Sequence, residues 1–300
     1  MCKKLKRDIV FVVLNYNVYK ETCDCVNSIK LNIDTNKYHI VIVDNNSSNS
    51  VGMSLAENYA DDDRVTVILN DENVGFAKGN NIGIDYSRKI FEVKYVCCLN
   101  NDTLLEKQDF YKCVEECYLN EKPAVIGPKI ILKNGDVQGL VGSLKPISEY
   151  QAQLKSYMER NSFKKKIKRF LLRVKSIRQI NAWRHRIIAK FLGKDANSVH
   201  KNVILHGCCL VFTPTFFEIA LGFDDRTFMY REEELLYVML KKHGLNNIYY
   251  PYLEIRHLED VSTDSVFFAE SERENFLCDN QIKSLRILVK ELSDSDNKLY

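Results

Sequence analysis

The sequence has no apolar run approaching the length that spans a bilayer, so a transmembrane segment is not expected. The run from Ile9 to Leu14, behind a basic start, is too short for the hydrophobic region of a signal peptide, and a cytoplasmic protein is expected. The ten cysteines show no paired zinc spacing, at Cys23 and Cys25 or at Cys113 and Cys117, which excludes a cysteine metal cluster. Cys97-Cys98 and Cys208-Cys209 are adjacent in apolar runs. Neighbours on a strand point to opposite faces, so such pairs make poor disulfides, and buried free thiols in a reducing compartment are expected. Charge is nearly balanced, +3 overall, and the aromatics do not interleave with basic residues as a stacking platform, so nucleic acid is not an expected partner. No glycine-rich signature with a phosphate-binding lysine precedes the helix after the first strand, which counts against a nucleotidyltransferase. What is present is ordinary for a globular protein, 45% hydrophobic and 28% charged, and 300 residues can bury one large core with an insertion.

The chain opens with Asp8 to Leu14, a β-branched and aliphatic run suited to a central parallel strand, which ends in Asn15-Tyr16-Asn17. A weak apolar stripe from Tyr19 to Leu31 predicts a helix, and His39 to Val43 predicts a second buried strand ending in Asp44-Asn45-Asn46-Ser47-Ser48. This βαβ pattern places Asp44 at a strand end, where it could hydrogen-bond a base or ribose. A third strand, Arg64 to Leu69, leads into a loop with Gly75 and Gly79 that opens a helix, where backbone amides and Lys78 could approach phosphate; a plain helix start with Asn caps is the alternative. Tyr95 to Leu99 is a buried strand that stops on Asn100-Asn101-Asp102. A carboxylate at the carboxyl end of such a strand faces bound ligand, and Mg2+ or Mn2+ takes one or two carboxylates plus substrate phosphates; the alternative is a simple turn. An amphipathic helix through Phe110, Val114 and Tyr118, a strand from Ala124 to Leu132 and a turn at Asn134-Gly135-Asp136 follow.

Four segments occur in order: Val-Val-Leu-Asn-Tyr-Asn at 12–17, Val-Asp-Asn-Asn-Ser-Ser at 43–48, Asn-Val-Gly-Phe-Ala-Lys-Gly-Asn-Asn at 73–81 and Leu-Asn-Asn-Asp-Thr at 99–103. Together they resemble the family 2 glycosyltransferases of the GT-A fold, in particular the rhamnosyl- and galactosyl-type enzymes of bacterial surface polysaccharide synthesis. The resemblance implies an α/β, Rossmann-like, mixed but mainly parallel sheet flanked by helices, and a metal-dependent, inverting transfer from a nucleotide sugar. It implies that Asn15, Asp44, Asn46, Gly75, Lys78, Asn81 and Asn101 lie at the nucleotide and that Asp102 holds Mn2+ or Mg2+. The sequence keeps one carboxylate, Asp102, where many members have Asp-x-Asp.

Residues 163–194 carry twelve Lys and Arg and no Asp or Glu, with Phe163, Ile167, Phe170, Leu171, Val174 and Ile177 at helical spacing and the single tryptophan, Trp183. A basic amphipathic helix of this kind fits an interfacial membrane surface, and equally a helical insertion packed on its own domain or on a second subunit. Val203 to Phe212 returns to a strand pattern, and Pro214 begins a helix through Phe217 and Ala220. Leu221 to Glu234 then resembles the second half of the family, in which Asp224 and Asp225 shape the acceptor side and Glu233, with Glu232 second, is the base that deprotonates the acceptor hydroxyl. His257, after a further strand, matches a family histidine at the metal or diphosphate. Three glutamates at a helix start would otherwise serve the helix dipole alone. The tail from Glu272 to Tyr300 reads as a helix.

The expected organisation is a nucleotide-sugar-binding half over 1–135, a basic insertion over 136–202 and an acceptor half with a C-terminal helix over 203–300. The resemblance implies transfer of a hexosyl or rhamnosyl unit from a UDP- or dTDP-sugar to a lipid-linked glycan at the inner membrane face. A homodimer stays open, and the competing class is a non-catalytic scaffold that retains the fold.

Overall fold

The computed structural model describes residues 4–138, 142–159, 195–258 and 270–294. The basic stretch 163–194, and with it the expected amphipathic helix, lies outside the described residues.

The first half alternates strand and helix. β1 (Leu5–Asn15), α1 (Tyr19–Asn32), β2 (Tyr38–Asp44), α2 (Val51–Asn58), β3 (Val65–Leu69), α3 (Phe76–Ile90) and β4 (Phe91–Asn100) build a parallel sheet in the order 3-2-1-4. β2 is buried along its whole length, as its β-branched run predicts for a strand covered on both faces. Side chains alternate between two cores. Phe11, Val13, Ile40, Ile42 and Cys97 pack with Val26 and Ile29 of α1, whereas Val10, Val12, Val41, Val43 and Val96 pack with Ala77 and Ile84 of α3.

The second half is mixed. After β5 (Thr103–Leu104), α4 (Phe110–Glu121) and β6 (Val125–Leu132) come α5 (Ile147–Met158), β7 (His200–Lys201), β8 (Cys209–Phe212), α6 (Pro214–Phe217), α7 (Glu232–Lys242), β9 (Asn247–His257) and α8 (Glu270–Ser293). The strand order continues 4-8-6-9-5, with β7 on β9; β8 runs antiparallel to both β4 and β6, while β6 and β9 are parallel.

One sequence expectation changes here. The strand expected over Val203 to Phe212 begins at Cys209, because the Asn247 side chain takes both the N–H (3.0 Å) and the carbonyl (2.7 Å) of Val203 and satisfies that backbone without a strand partner. The ends of the expected insertion, 136–202, pack on the rest of the fold. β7 pairs with β9, and Tyr150 of α5 packs with Leu235, Val238, Leu285, Leu288 and Leu292 of α7 and α8 in a third core. The nine described cysteines are free thiols, eight of them buried, as expected.

Candidate active site

The carboxyl ends of β1, β2 and β4 meet in a buried polar network. Asn15 donates to Asp44 Oδ1 (2.6 Å) and to Ser47 Oγ (3.2 Å), while its own Oδ1 accepts from Thr22 Oγ1 (2.8 Å) and Asn101 Nδ2 (3.2 Å). Ser47 adds its N–H and hydroxyl to the Asp44 carboxylate. Asn15, Asp44 and Asn101 are thus brought together, with Asp44 buried and both its oxygens hydrogen-bonded within the protein. Asn46 is exposed at φ 62°, and Lys78 is exposed in the first turn of α3. Sequence reasoning passed over Asn45. Buried beside Asn46, it bonds Asn70, Asn73, Val74 and the Gly75 carbonyl and so shapes the whole loop before α3.

Gly75 and Asn81 serve the joint between the halves. Gly75 has φ +86°, and a Cβ there would lie 2.2 Å from the Phe228 carbonyl oxygen, which accepts the N–H of Phe76 at 2.8 Å. The glycine permits a backbone-to-backbone approach to the second half. The Asn81 amide both donates to the Phe223 carbonyl (2.9 Å) and accepts its N–H (2.8 Å), so it tethers that turn. Asp224 is likewise committed elsewhere. Burial opposes its charge, but the side chain and backbone of Arg226 hold the carboxyl below its usual range, and Arg226 continues to Glu291 of α8. Asp225 is exposed, and neither aspartate lines the cavity that borders Glu233.

That cavity, ≈ 410 Å³, lies between Asn100 at the end of β4, the segment His206–Cys208, and Glu232–Glu234 at the start of α7. Tyr230 and Arg231, just before α7, both have left-handed backbones (φ 75° and 71°), a conformation that costs of order 1–3 kcal/mol per residue and gathers at functional sites. Arg231 fixes this turn by bonding Glu234 (2.8 Å), Gln153 of α5 (3.2 Å) and Gln281 of α8 (3.1 Å). Burial, then the charge of Glu233, push Glu232 up to about 7, and its Oε1 is buried without a hydrogen-bond partner. Glu233 Oε1 accepts the Gly207 N–H at 3.1 Å, a contact that leaves no room for a side chain at 207. Burial and Glu234 raise the Glu233 pKa, against Gly207 and Arg231. Both are carboxylates shifted toward the range of a base that works near neutral pH.

On the adjoining wall, Asp102 and His257 come together because Thr103 pairs with His257 between β5 and β9, and the Leu258 N–H bonds the Asp102 carbonyl at 2.9 Å. Nε2 of His257 lies 3.3 Å from Asp102 Oδ1, yet that oxygen is buried with no hydrogen-bond partner. Two ligand atoms sharing one octahedral Mg2+-sized ion sit roughly 3 Å apart, so an orphaned carboxylate oxygen facing an imidazole nitrogen fits a hard divalent cation. No group of three metal-ligating side chains is found among the described residues, so this pair could supply only part of a coordination shell, as expected where phosphates and water complete it. Burial lowers the pKa of His206 to about 4, with His257 next in effect; the two rings stand 5.8 Å apart. Cys208, between the two acidic groups, is raised by burial, then by Cys209, Asp102 and Glu233.

A family model described as glycosyl transferase family 2 matches residues 10–183. None of the curated proteins matches the sequence. Among solved structures, the chain is similar to GalNAc-T7 with UDP, GalNAc and Mn2+ (14% identity, TM-score 0.59, 95% of this chain and 48% of that one). It is similar also to the mannosyltransferase PcManGT from Pyrobaculum calidifontis in complex with GDP-Man and Mn2+ (12%, TM-score 0.52, 97% and 76%). The S. aureus TarS chain with UDP-GlcNAc aligns at 18% identity and TM-score 0.38 over 46% of this chain, which spans 38% of that longer protein. The first two likenesses show a GT-A type of fold.

Proposed function

Because the chain belongs to glycosyl transferase family 2, we propose that it transfers one hexosyl or rhamnosyl unit, with inversion, from a UDP- or dTDP-sugar to a glycan acceptor. The observation that carries this reading is a single cavity bordered by Glu233, a half-buried carboxylate of raised pKa, and by the His206–Cys208 segment that adjoins Asp102 and His257. Glu233 takes the proton of the acceptor hydroxyl as its oxygen attacks the anomeric carbon from the side opposite the departing diphosphate. Its raised pKa favours holding that proton. The Gly207 N–H holds the carboxylate in place, and Arg231, bonded to Glu234, fixes the start of α7 that carries it. The nucleotide lies over the ends of β1, β2 and β4, where Asn46 and Lys78 are exposed above the polar network. Asp102 and His257 would hold Mn2+ or Mg2+, which when bound stabilises charge on the diphosphate leaving group.

The acceptor in this reading is a lipid-linked glycan of cell-surface polysaccharide synthesis, reached from the inner face of the plasma membrane. The support is the basic, tryptophan-containing stretch 163–194. No helix among the described residues is long and apolar enough to cross a membrane. Anionic liposomes should sediment the intact chain and not one lacking 163–194, and equal sedimentation would remove the membrane from the proposal.

The test of the core reading is calorimetry with UDP, dTDP, GDP and their sugars, with and without Mn2+ or Mg2+. Metal-dependent binding of one nucleotide is expected. Absence of binding to all of them would favour the second reading, a non-catalytic scaffold, for which the single acidic residue in Asn100-Asn101-Asp102 is the motivating feature.

A further inference from the structure

Gln138 belongs to none of the segments that resemble the family, yet the structure brings it to His257. The Asn134-Gly135-Asp136 turn folds the chain back along β6, with Gln138 N–H on the Ile130 carbonyl (2.8 Å), and β6 pairs Leu132 with His257. The Gln138 side chain then lies between two imidazoles, its Oε1 3.3 Å from His257 Nδ1 and its Nε2 2.9 Å from His206 Nε2. His206 leads directly into Gly207, whose N–H holds Glu233.

We infer that Gln138 is a positioning residue that orients His257 for a divalent cation and links that site, through His206 and Gly207, to the wall that holds Glu233. The inference rests on the reading that Asp102 and His257 are cation ligands. A neutral imidazole offers a metal its lone pair on one nitrogen only when the other carries the proton, and a hydrogen-bond acceptor at that second nitrogen fixes the arrangement. The Gln138 oxygen is that acceptor for Nδ1, leaving Nε2 bare toward Asp102 Oδ1. The Gln138 amide N–H is then directed at His206 Nε2, while the Cys208 N–H is already directed at His206 Nδ1 at 3.2 Å. One neutral ring cannot accept at both nitrogens, so orienting His257 for metal competes with the Cys208 bond and ties metal binding to the placement of the 206–208 segment. A glutamate at 138 removes the conflict, since its two oxygens can accept from His257 Nδ1–H and from His206 Nε2–H together.

The experiment titrates Mn2+ by electron paramagnetic resonance into the full chain, with and without UDP, for the wild type, Asp102→Ala, Gln138→Leu and Gln138→Glu. Wild type should bind and Asp102→Ala should not. Gln138→Leu should bind Mn2+ some 10- to 100-fold more weakly. Gln138→Glu should bind at least as tightly as the wild type, and melting temperature should not follow this order. Wild-type binding with Gln138→Leu unchanged would overturn the role of Gln138 alone. No binding by the wild type, or undiminished binding by Asp102→Ala, would take down the cation reading and this inference with it.

Discussion

Oδ1 of Asp102 and Nε2 of His257 stand 3.3 Å apart across the β5–β9 pairing, both residues buried, with no hydrogen bond to the carboxylate oxygen. One residue lies between the fourth and fifth strands and the other ends the ninth, 155 positions later, so their meeting is a product of sheet topology. A buried carboxylate oxygen without a donor is a cost to the apo fold. Asp102→Ala should therefore abolish Mn2+ binding and sugar transfer while leaving the melting temperature equal or higher. A large fall in melting temperature would show instead that the carboxylate is structural.

Glu233→Gln should remove transfer, by 100-fold or more, with metal and nucleotide affinity kept, since a general base typically contributes about 10²–10⁴. Substantial residual transfer would pass the role to Glu232, its neighbour on α7.

Glu232 gives a pH dependence with a definite sign. Its folded pKa of about 7 lies above that of an unfolded carboxyl, so the folded state holds the proton more tightly, and stability falls as pH rises from about 4.5 through 7. Glu232→Gln should flatten that slope, with a gain at pH 8 of up to roughly 3 kcal/mol. Denaturant melts at pH 5 and pH 8 measure it, and parallel changes in both proteins would contradict it.

Arg231→Met should move the acid limb of the rate profile to higher pH. Glu233 is faced by Glu232 and Glu234 on its own helix, by the Gly207 N–H and by Arg231, and the guanidinium is the cation among them that favours its charged form. Loss should be larger at pH 6.5 than at pH 8.5, whereas a merely loosened fold would lower both equally.

Gly75→Ala should destabilise the protein by about 1–3 kcal/mol or more, because φ +86° strains a Cβ-bearing residue and the added methyl meets the Phe228 backbone. A thermal melt near that of the wild type would mean the loop can yield.

The strands that carry the site could be read from the chain because central parallel strands are nearly continuous apolar runs and the polar residues that end them stand out. Asn15, Asp44, Asn101 and Asp102 were visible in this way. Their partners were not. Thr22 and Ser47 have short hydroxyl side chains whose hydrogen bonds depend on strand register, and nothing local distinguishes Asn45, buried, from Asn46, exposed. Val203–His206 reads as strand from its residues because an Asn247 side chain acting as strand partner leaves no periodic trace.

The sequence by itself determined the βαβ order, the strand-end carboxylate and the glutamates at the start of α7, because each depends on hydrophobic period or on neighbours within a few residues. Only the tertiary structure decided that Asp44, Gly75, Asn81 and Asp224 serve the protein's own framework. It also decided that Gln138 reaches His257 and that Arg231 binds three helices together. The contacts of Asn81 with Phe223, of Arg231 with Gln281 and of Gln138 with His257 join residues from 50 to more than 140 positions apart, and such separations are fixed by strand order and packing, which no single segment encodes.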